Sequence, residues 1–230
     1  FMEQPGVIAV ILDGSTVKGN ARPDSDIDAI IVVTQARYDE LAAQNRLAEV
    51  ITGHCTYEGG YFDIKYKTKA ILQRAAQYAS EPTRNAYVKA QVLWTQDAEI
   101  PALVAAIERY PEHTVADKVA CFCANLLSIV PEENSYMRAH LAQEIVYSVY
   151  RLILIENRKL FPCNRRLEET VRACQKRPEN ILELGRAFLS DITPARCEEF
   201  VGAFWRQSAL ALNDDISESC SQYVKYYEDW

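Results

Sequence analysis

Two aspartates, Asp26 and Asp28, lie one residue apart at the start of the apolar run 28–33. Alternate side chains of a β-strand point to the same face, so both carboxylates should lie on one side of the chain. Carboxylate oxygens are the ligands that Mg²⁺ prefers, and an ion held by few of them can still bind phosphate oxygens and water. The pair therefore predicts a magnesium site that takes part in phosphate chemistry.

A glycine and a serine, Gly14 and Ser15, follow the first apolar run, residues 6–12. Glycine lets the backbone approach a phosphate closely, and the backbone N–H groups and the serine hydroxyl can donate to its oxygens. Lys18 and Arg22 in the following polar segment would add positive charge, although either is equally well explained as a solvated loop residue. The segment predicts the phosphate-binding half of the same site, on an exposed loop or short helical turn.

A third carboxylate is expected from a neighbouring strand, and Asp63 in the run 61–67 is the best candidate. Strand alternation places Asp63, Lys65 and Lys67 on one face of this run, and its apolar residues on the other. A core strand does not normally carry a carboxylate and two lysines on one side unless that side lines a polar site. The alternative is that Asp63 is a surface residue on an edge strand.

The elements that must position these residues differ between the two halves of the chain. The first half predicts buried strands over 6–12, 28–33 and 61–67, helices over about 36–51 and 69–80, and a hairpin turn at 58–60. After Asp97 long helical patterns take over, with prolines at or beside the gaps between them. We therefore predict an α+β fold with a mixed sheet and flanking helices in domain 1–98, and a helical bundle in domain 99–230.

Composition limits the classes of protein to which the chain can belong. Its 230 residues are 49% hydrophobic, but no stretch approaches the roughly 20 apolar residues of a membrane span, so a soluble protein is expected. The net charge of −7 argues against a protein that coats nucleic acid and favours a cationic acceptor. Phe1–Pro5 shows no export signal, and a Phe before a Met leaves room for missing native residues.

The cysteines bear on the compartment of the protein. Seven scattered cysteines, an odd number, predict a reducing cytoplasm and no disulfide framework. Cys121 and Cys123 form the only close pair, without a second ligand pair, and core packing explains them better than zinc.

The block from Gly14 to Asp28 resembles a known family, the DNA polymerase beta-like nucleotidyltransferases. Its mark is Gly-Ser, a spacer of about ten residues, and Asp-x-Asp between apolar strands; here the spacer is Thr16–Ser25, which is 25 − 16 + 1 = 10 residues. The block looks most like small bacterial members, including the aminoglycoside and lincosamide nucleotidyltransferases. The resemblance implies a nucleotidyltransferase fold and transfer of a nucleoside monophosphate, most simply AMP from ATP, to an acceptor.

The resemblance also implies roles for individual residues. Asp26 and Asp28 would bind Mg²⁺, with two ions expected, and Asp63 would be either a third metal ligand or the general base that deprotonates the acceptor. Together these three would form the catalytic site. A nucleoside triphosphate, ATP or another, would contact the following residues: Gly14, Ser15, Lys18, Arg22 and Ser25.

The helical half is expected to contribute to the acceptor cleft. Arg165, which follows Phe-Pro and Asn, resembles a basic residue of uncharacterised members of the superfamily and would reach phosphate; a helix–helix junction with solvated arginines is the alternative. The leading hypothesis is a small acceptor with a hydroxyl group, such as an antibiotic. The alternatives are a protein or RNA partner, as in toxin–antitoxin systems, and a non-catalytic nucleotide-binding protein. The sequence predicts neither the base nor the oligomeric state.

Overall fold

The computed structural model describes residues 1–19, 21, 25–126, 133–212 and 215–224. Two compact units divide the chain, residues 1–109 and residues 110–230. The strands of the first unit are β1 (Val7–Leu12), β2 (Ile27–Val33), β3 (Ala48–Thr52), β4 (Tyr61–Thr68) and β5 (Gln91–Thr95). Its helices are α1 (Gly14–Lys18), α2 (Gln35–Ala43), α3 (Lys69–Tyr78), α4 (Glu81–Ala86) and α5 (Ile100–Ile107).

Within the described residues, the strands of the first unit form one five-stranded sheet in the order β3-β4-β2-β1-β5. The central neighbours β2 and β4 run parallel, while β1 pairs antiparallel with both β2 and β5, and β3 pairs antiparallel with β4. The sheet is therefore mixed, which confirms the α+β prediction. Strand β2 lies at its centre, between β4 and β1, where an apolar strand is covered on both faces.

Each face of this sheet has its own hydrophobic core. On one face Ile11 and Ile30 pack with α3 and α5 through Leu72, Ile100 and Ile107, all almost completely buried. On the other face the partners include Ile31 and Ile64, with Leu41 from α2. Alternation along β2 and β4 sends successive side chains to these two cores, and the polar residues of the site lie on the α3/α5 face.

The prediction of a helix over 36–51 is wrong in its second half. Helix α2 ends at Ala43, Asn45 adopts a left-handed φ of 54°, and residues 48–52 form strand β3 at an edge of the sheet. The β-branched residues Val50, Ile51 and Thr52 favour the strand once β4 offers a partner. The predicted turn at 58–60 lies within the β3–β4 connection, but the strand before it, β3, ends at Thr52 and does not reach the turn.

The boundary between the units also differs from the sequence-based one. The first unit extends to Arg109, eleven residues beyond 98, because α5 belongs to its core. The change to a helical sequence pattern after Asp97 correctly predicted the start of a new helix. It did not mark a new unit, because a helix can pack on a sheet that precedes it.

The second unit is helical, as predicted. Its helices are α6 (Val115–Leu126), α7 (Ser135–Glu156), α8 (Leu167–Arg172), α9 (Ile181–Ser190), α10 (Pro194–Gln207) and α11 (Ile216–Tyr223). The long helix α7 is buried along its second half and forms the centre of the core. Cys121 and Cys123 are buried in α6, Cys123 within this core. Across the described residues, no helix has the length and apolar character that a membrane crossing requires.

Candidate active site

The parallel pairing of β2 and β4 brings the three predicted carboxylates together. Asp28 lies directly opposite Asp63 in the register of the two strands, and Asp26 stands just before β2 begins. Asp26, Asp28 and Asp63 each offer a carboxylate oxygen, and these oxygens lie within 4.8 Å of one another. We call these three residues the acidic triad. All three are only partly buried, so their oxygens remain open to a ligand from solvent.

Gly14 allows the turn after β1 to pass directly against the acidic triad. Its φ is +75°, and a Cβ placed on it would lie 2.0 Å from Oδ2 of Asp28. A second tie is the hydrogen bond from the backbone N–H of Asp13 to the carbonyl of Asp28, at 3.1 Å. Ser15 follows in the first turn of α1, so the Gly-Ser turn and the carboxylates share one end of the sheet.

Negative charge accumulates at this end of the sheet. Desolvation by burial raises the pKa of Asp28 above its ordinary value, and repulsion from Asp26 adds to the effect. Burial raises the pKa of Asp13 to about 6, with Asp28 adding to the rise and Lys67 opposing it. Both shifts mean that nearby positive charge does not fully compensate the ionised carboxylates. A bound cation would supply the missing positive charge.

Two lysines of β4 lie on the same face as Asp63. The ammonium of Lys65 is 2.8 Å from Oδ2 of Asp63 and 3.7 Å from Oδ1 of Asp28. Lys67 instead donates to the hydroxyl of Tyr87 at 3.1 Å and lies 5.1 Å from the centre of its ring. Burial lowers the pKa of Lys67 and raises that of Tyr87. The predicted polar face of β4 is therefore real, with different partners for its two lysines.

Two tyrosines hold the segment that carries Asp26. Tyr57, in the β3–β4 connection, donates its hydroxyl to the carbonyl of Ser25 at 2.6 Å, and Tyr61 donates to Oδ2 of Asp26 at 3.4 Å. The charge of Asp26 raises the pKa of the Tyr61 hydroxyl, since ionisation would place two negative groups together. Ser25 and Asp26, just before β2, are thus held by side chains from β4 and from the connection that precedes it.

The remaining predicted nucleotide-binding residues lie in different places. Lys18 donates to the side-chain carbonyl of Asn85 at 3.1 Å, Ser25 is buried next to Asp26, and Ser15 is partly exposed. Arg22 falls outside the described residues. Arg165 is exposed in a short 3-10 turn of the second unit. Contact of these five with nucleotide stays a prediction.

Sequence reasoning did not single out Asp13, Tyr57 or Tyr61. Strand alternation could have found Tyr61, because it stands two residues before Asp63 and therefore on the same face. Asp13 carried a signal too, as a charged residue between a buried strand and Gly14. Tyr57 had none, because its contact depends on how the long β3–β4 connection folds back.

The residues present suit a divalent metal and a triphosphate. The acidic triad supplies hard oxygen ligands close enough to share ions, and the raised pKa of Asp28 indicates that a bound cation would stabilise its ionised form. The Gly-Ser turn lies beside it, where backbone N–H groups can meet phosphate. A mixed sheet with such a site is compatible with an enzyme that acts on nucleoside triphosphates through carboxylate-bound metal.

Comparison with known proteins identifies the family to which the first part of the chain belongs. Residues 1–89 match the family model described as "Nucleotidyltransferase domain". Residues 1–89 therefore form a nucleotidyltransferase domain of the DNA polymerase beta-like superfamily, whose members transfer a nucleoside monophosphate.

One solved structure shows how far the fold extends. The crystal structure of a nucleotidyltransferase-like protein from Exiguobacterium sibiricum 255-15 has a TM-score of 0.50 with this chain at 11% identity. The similarity covers 96% of this chain and 72% of that one, so it reaches beyond the sheet into the helical half. At this identity it supports the fold alone. No curated protein sequence matches the chain.

Proposed function

We propose that the protein is a Mg²⁺-dependent nucleotidyltransferase that moves AMP from ATP to a hydroxyl group of a small acceptor. The observation that carries the proposal is the acidic triad, whose carboxylate oxygens lie within 4.8 Å of one another next to Gly14. Three carboxylates at this spacing match what a phosphoryl-transfer site needs to hold metal and triphosphate together.

In this proposal the protein acts mainly by positioning and by charge. Bound Mg²⁺ would neutralise the charge that develops on the α-phosphate and on the departing pyrophosphate. Asp26 and Asp28 would hold the metal, with Tyr61 keeping the Asp26 carboxylate in place. The backbone at Gly14 and Ser15 would bind triphosphate oxygens, and Lys18, Arg22, Ser25 and Arg165 remain the further nucleotide contacts that we propose.

Asp63 is proposed to serve either as a third metal ligand or as the general base for the acceptor. It stands on the neighbouring strand, opposite Asp28, with an exposed flank. A carboxylate there can complete a metal site or accept the proton of the attacking hydroxyl. Either role requires the ionised form, so its substitution by asparagine should remove activity while keeping the shape of the side chain.

A small acceptor is favoured over a polymer. The net charge of −7 opposes binding of RNA and suits a cationic small molecule. We further propose that the helical unit supplies acceptor-binding side chains. It has a cavity of about 450 Å³ whose lining includes Glu144 together with Tyr147 and Tyr150, a size and chemistry suited to a small amine-bearing ligand. A reducing cytoplasm is the proposed compartment, in keeping with seven free cysteines.

The test is transfer of label from α-³²P-ATP in the presence of Mg²⁺. The acceptors are a panel of aminoglycosides and lincosamides, a metabolite extract, and a cell lysate in which labelled protein or RNA would be seen. The proposal expects a labelled small product that disappears with EDTA. Label on a protein or RNA alone would replace the small acceptor with a macromolecular one.

Matched variants assign the activity to the acidic triad. Asp28→Asn and Asp63→Asn should each lower the rate by about 10³-fold or more, as loss of a group that stabilises the transition state does. Asp39→Asn is the control, because Asp39 is an exposed carboxylate on α2 of the same unit. Equal rates in Asp28→Asn and Asp39→Asn would contradict the proposed site.

A further inference from the structure

Lys65 is placed against two members of the acidic triad. Its ammonium lies 2.8 Å from Asp63 and 3.7 Å from Asp28, and its side chain is 48% exposed. Lys65 follows Asp63 by two residues in β4, so strand geometry holds both side chains on one face. The ammonium therefore contacts the carboxylates that would bind metal.

A lysine and a divalent ion cannot both occupy this position. The single positive charge of the ammonium and the double positive charge of the ion would repel each other at this distance. A metal also takes the carboxylate lone pairs that the ammonium uses. Lys65 can leave, since its stem is flexible and nearly half of its side chain already faces solvent.

We infer that the ammonium of Lys65 takes the place of the metal in the metal-free protein. There it holds Asp28 and Asp63 together, and it is displaced when metal binds. The inference rests on the proposed function, because it concerns the same metal site. Lys65 is then a positioning residue that also competes with the metal. The triad is kept assembled without metal, and the affinity of the free protein for metal is reduced.

Lys69 provides a matched control in the same unit. Its ammonium also contacts two carboxylates, Asp97 at 2.6 Å and Glu99 at 3.0 Å, but neither belongs to the acidic triad. Lys65→Met and Lys69→Met thus remove the same group from similar ion pairs. Only the first should change the binding of metal.

The experiment measures Mn²⁺ binding to the full chain without nucleotide, by electron paramagnetic resonance of the free ion. Lys65→Met should bind Mn²⁺ about fivefold or more tightly than the wild type, the size expected when a competing partner is removed. Lys65→Arg, which keeps the charge, and Lys69→Met should bind as the wild type does. In EDTA, Lys65→Met should also melt at a lower temperature, with a larger rise on addition of Mn²⁺.

A second measurement uses the wild type and therefore does not depend on how a variant folds. Acetylation of individual lysines by a limiting reagent, followed by mass spectrometry, should be faster at Lys65 when Mg²⁺ is present and unchanged at Lys69. Equal or weaker Mn²⁺ binding by Lys65→Met, or no change in acetylation at Lys65, would overturn the inference alone. If neither wild type nor Lys65→Met binds Mn²⁺, the inference and the metal-dependent function both fail.

Discussion

At the scale of single residues, the site depends on how closely the backbone at Gly14 approaches Asp28. A methyl group at this position would stand 2.0 Å from Oδ2 of the carboxylate, well inside any normal contact. The same glycine has a left-handed backbone conformation, which an alanine adopts at a cost of about 1–2 kcal/mol. Glycine is therefore required at position 14 for two reasons, the close approach to Asp28 and the left-handed backbone conformation.

We expect Gly14→Ala to lower the rate of nucleotidyl transfer by about 100-fold or more, because Asp28 must move from its place in the acidic triad. Gly53→Ala is the control. Gly53 has a similar φ of +79° but no atom within 4 Å of the added methyl, so it should lose stability without losing the transfer rate. A similar loss of rate in both variants would show that backbone strain alone is responsible. Steady-state kinetics and thermal melting give the two readouts.

Asp13 makes the stability of the first unit depend on pH. Burial raises its folded-state pKa from 3.8 to about 6, so the folded protein binds the proton more tightly than the unfolded chain does. The contribution of Asp13 to stability is therefore fully present below about pH 4 and is lost as pH rises from about 4 to about 6. The loss is at most about 3 kcal/mol for a shift of this size.

Asp13→Asn should remove this dependence. We expect the variant to exceed the wild type in free energy of unfolding above pH 7, and the difference to shrink towards pH 4. The measurement is urea unfolding in EDTA, followed by the fluorescence of Trp94 after Trp205 and Trp230 are replaced by Phe. A difference that is constant with pH would contradict the titration of Asp13.

At the scale of elements, Arg84 joins the ends of two helices in the first unit. Its guanidinium, in a residue only 3% exposed, donates to carbonyls of Ala76, Gln77 and Ala79 around the end of α3. It also donates to Ile107 and Arg109 at the end of α5. The last carbonyls of a helix have no partner within the helix, so one buried arginine satisfies both ends.

We expect Arg84→Met to lower the free energy of unfolding of the first unit by about 3 kcal/mol or more, since several buried carbonyls lose their donor at once. Arg84→Lys should recover little, because an ammonium lacks the planar fork that reaches both helix ends. Arg74→Met, at an exposed arginine of α3, is the control and should stay near the wild type. The Trp94 fluorescence described above reports the result. A near-neutral Arg84→Met would contradict this role.

At the scale of the whole molecule, the question is where the first unit ends. Helix α5 buries Ile100, Val104 and Ile107 against the sheet, and each such side chain contributes about 1.5–3 kcal/mol. Their sum is comparable to the entire stability of a typical domain. A fragment that ends at residue 98 would expose the surface that these residues cover.

We therefore expect the fragment 1–109 to fold and the fragment 1–98 to remain largely unfolded or to aggregate. The measurements are circular dichroism during heating and size-exclusion chromatography, with Mn²⁺ binding as a test of the acidic triad in 1–109. The two fragments differ only by Glu99, α5 and the two residues after it. A cooperative transition in 1–98 would show that α5 is not part of the folding unit.

The sequence alone determined which residue types could form the candidate site and where each of them stands along its strand. Asp26 and Asp28 share a face because side chains alternate along a strand, and the same rule put Asp63 and Lys65 together on β4. These are local rules of geometry that hold whatever the surroundings. The Gly-Ser turn and the change to helical patterns after Asp97 could also be predicted, because both are local features of the sequence.

Only the tertiary structure decided which local segments meet. The parallel register of β2 and β4 sets Asp28 opposite Asp63, and no spacing in the chain fixes a register between strands about 35 residues apart. Residues 48–52 became a strand because β4 offered hydrogen bonds, and α5 joined the first unit because the sheet offered an apolar face. In each case the stabilising free energy comes from contacts with a segment that is distant in sequence. The local sequence pattern carries no information about that segment.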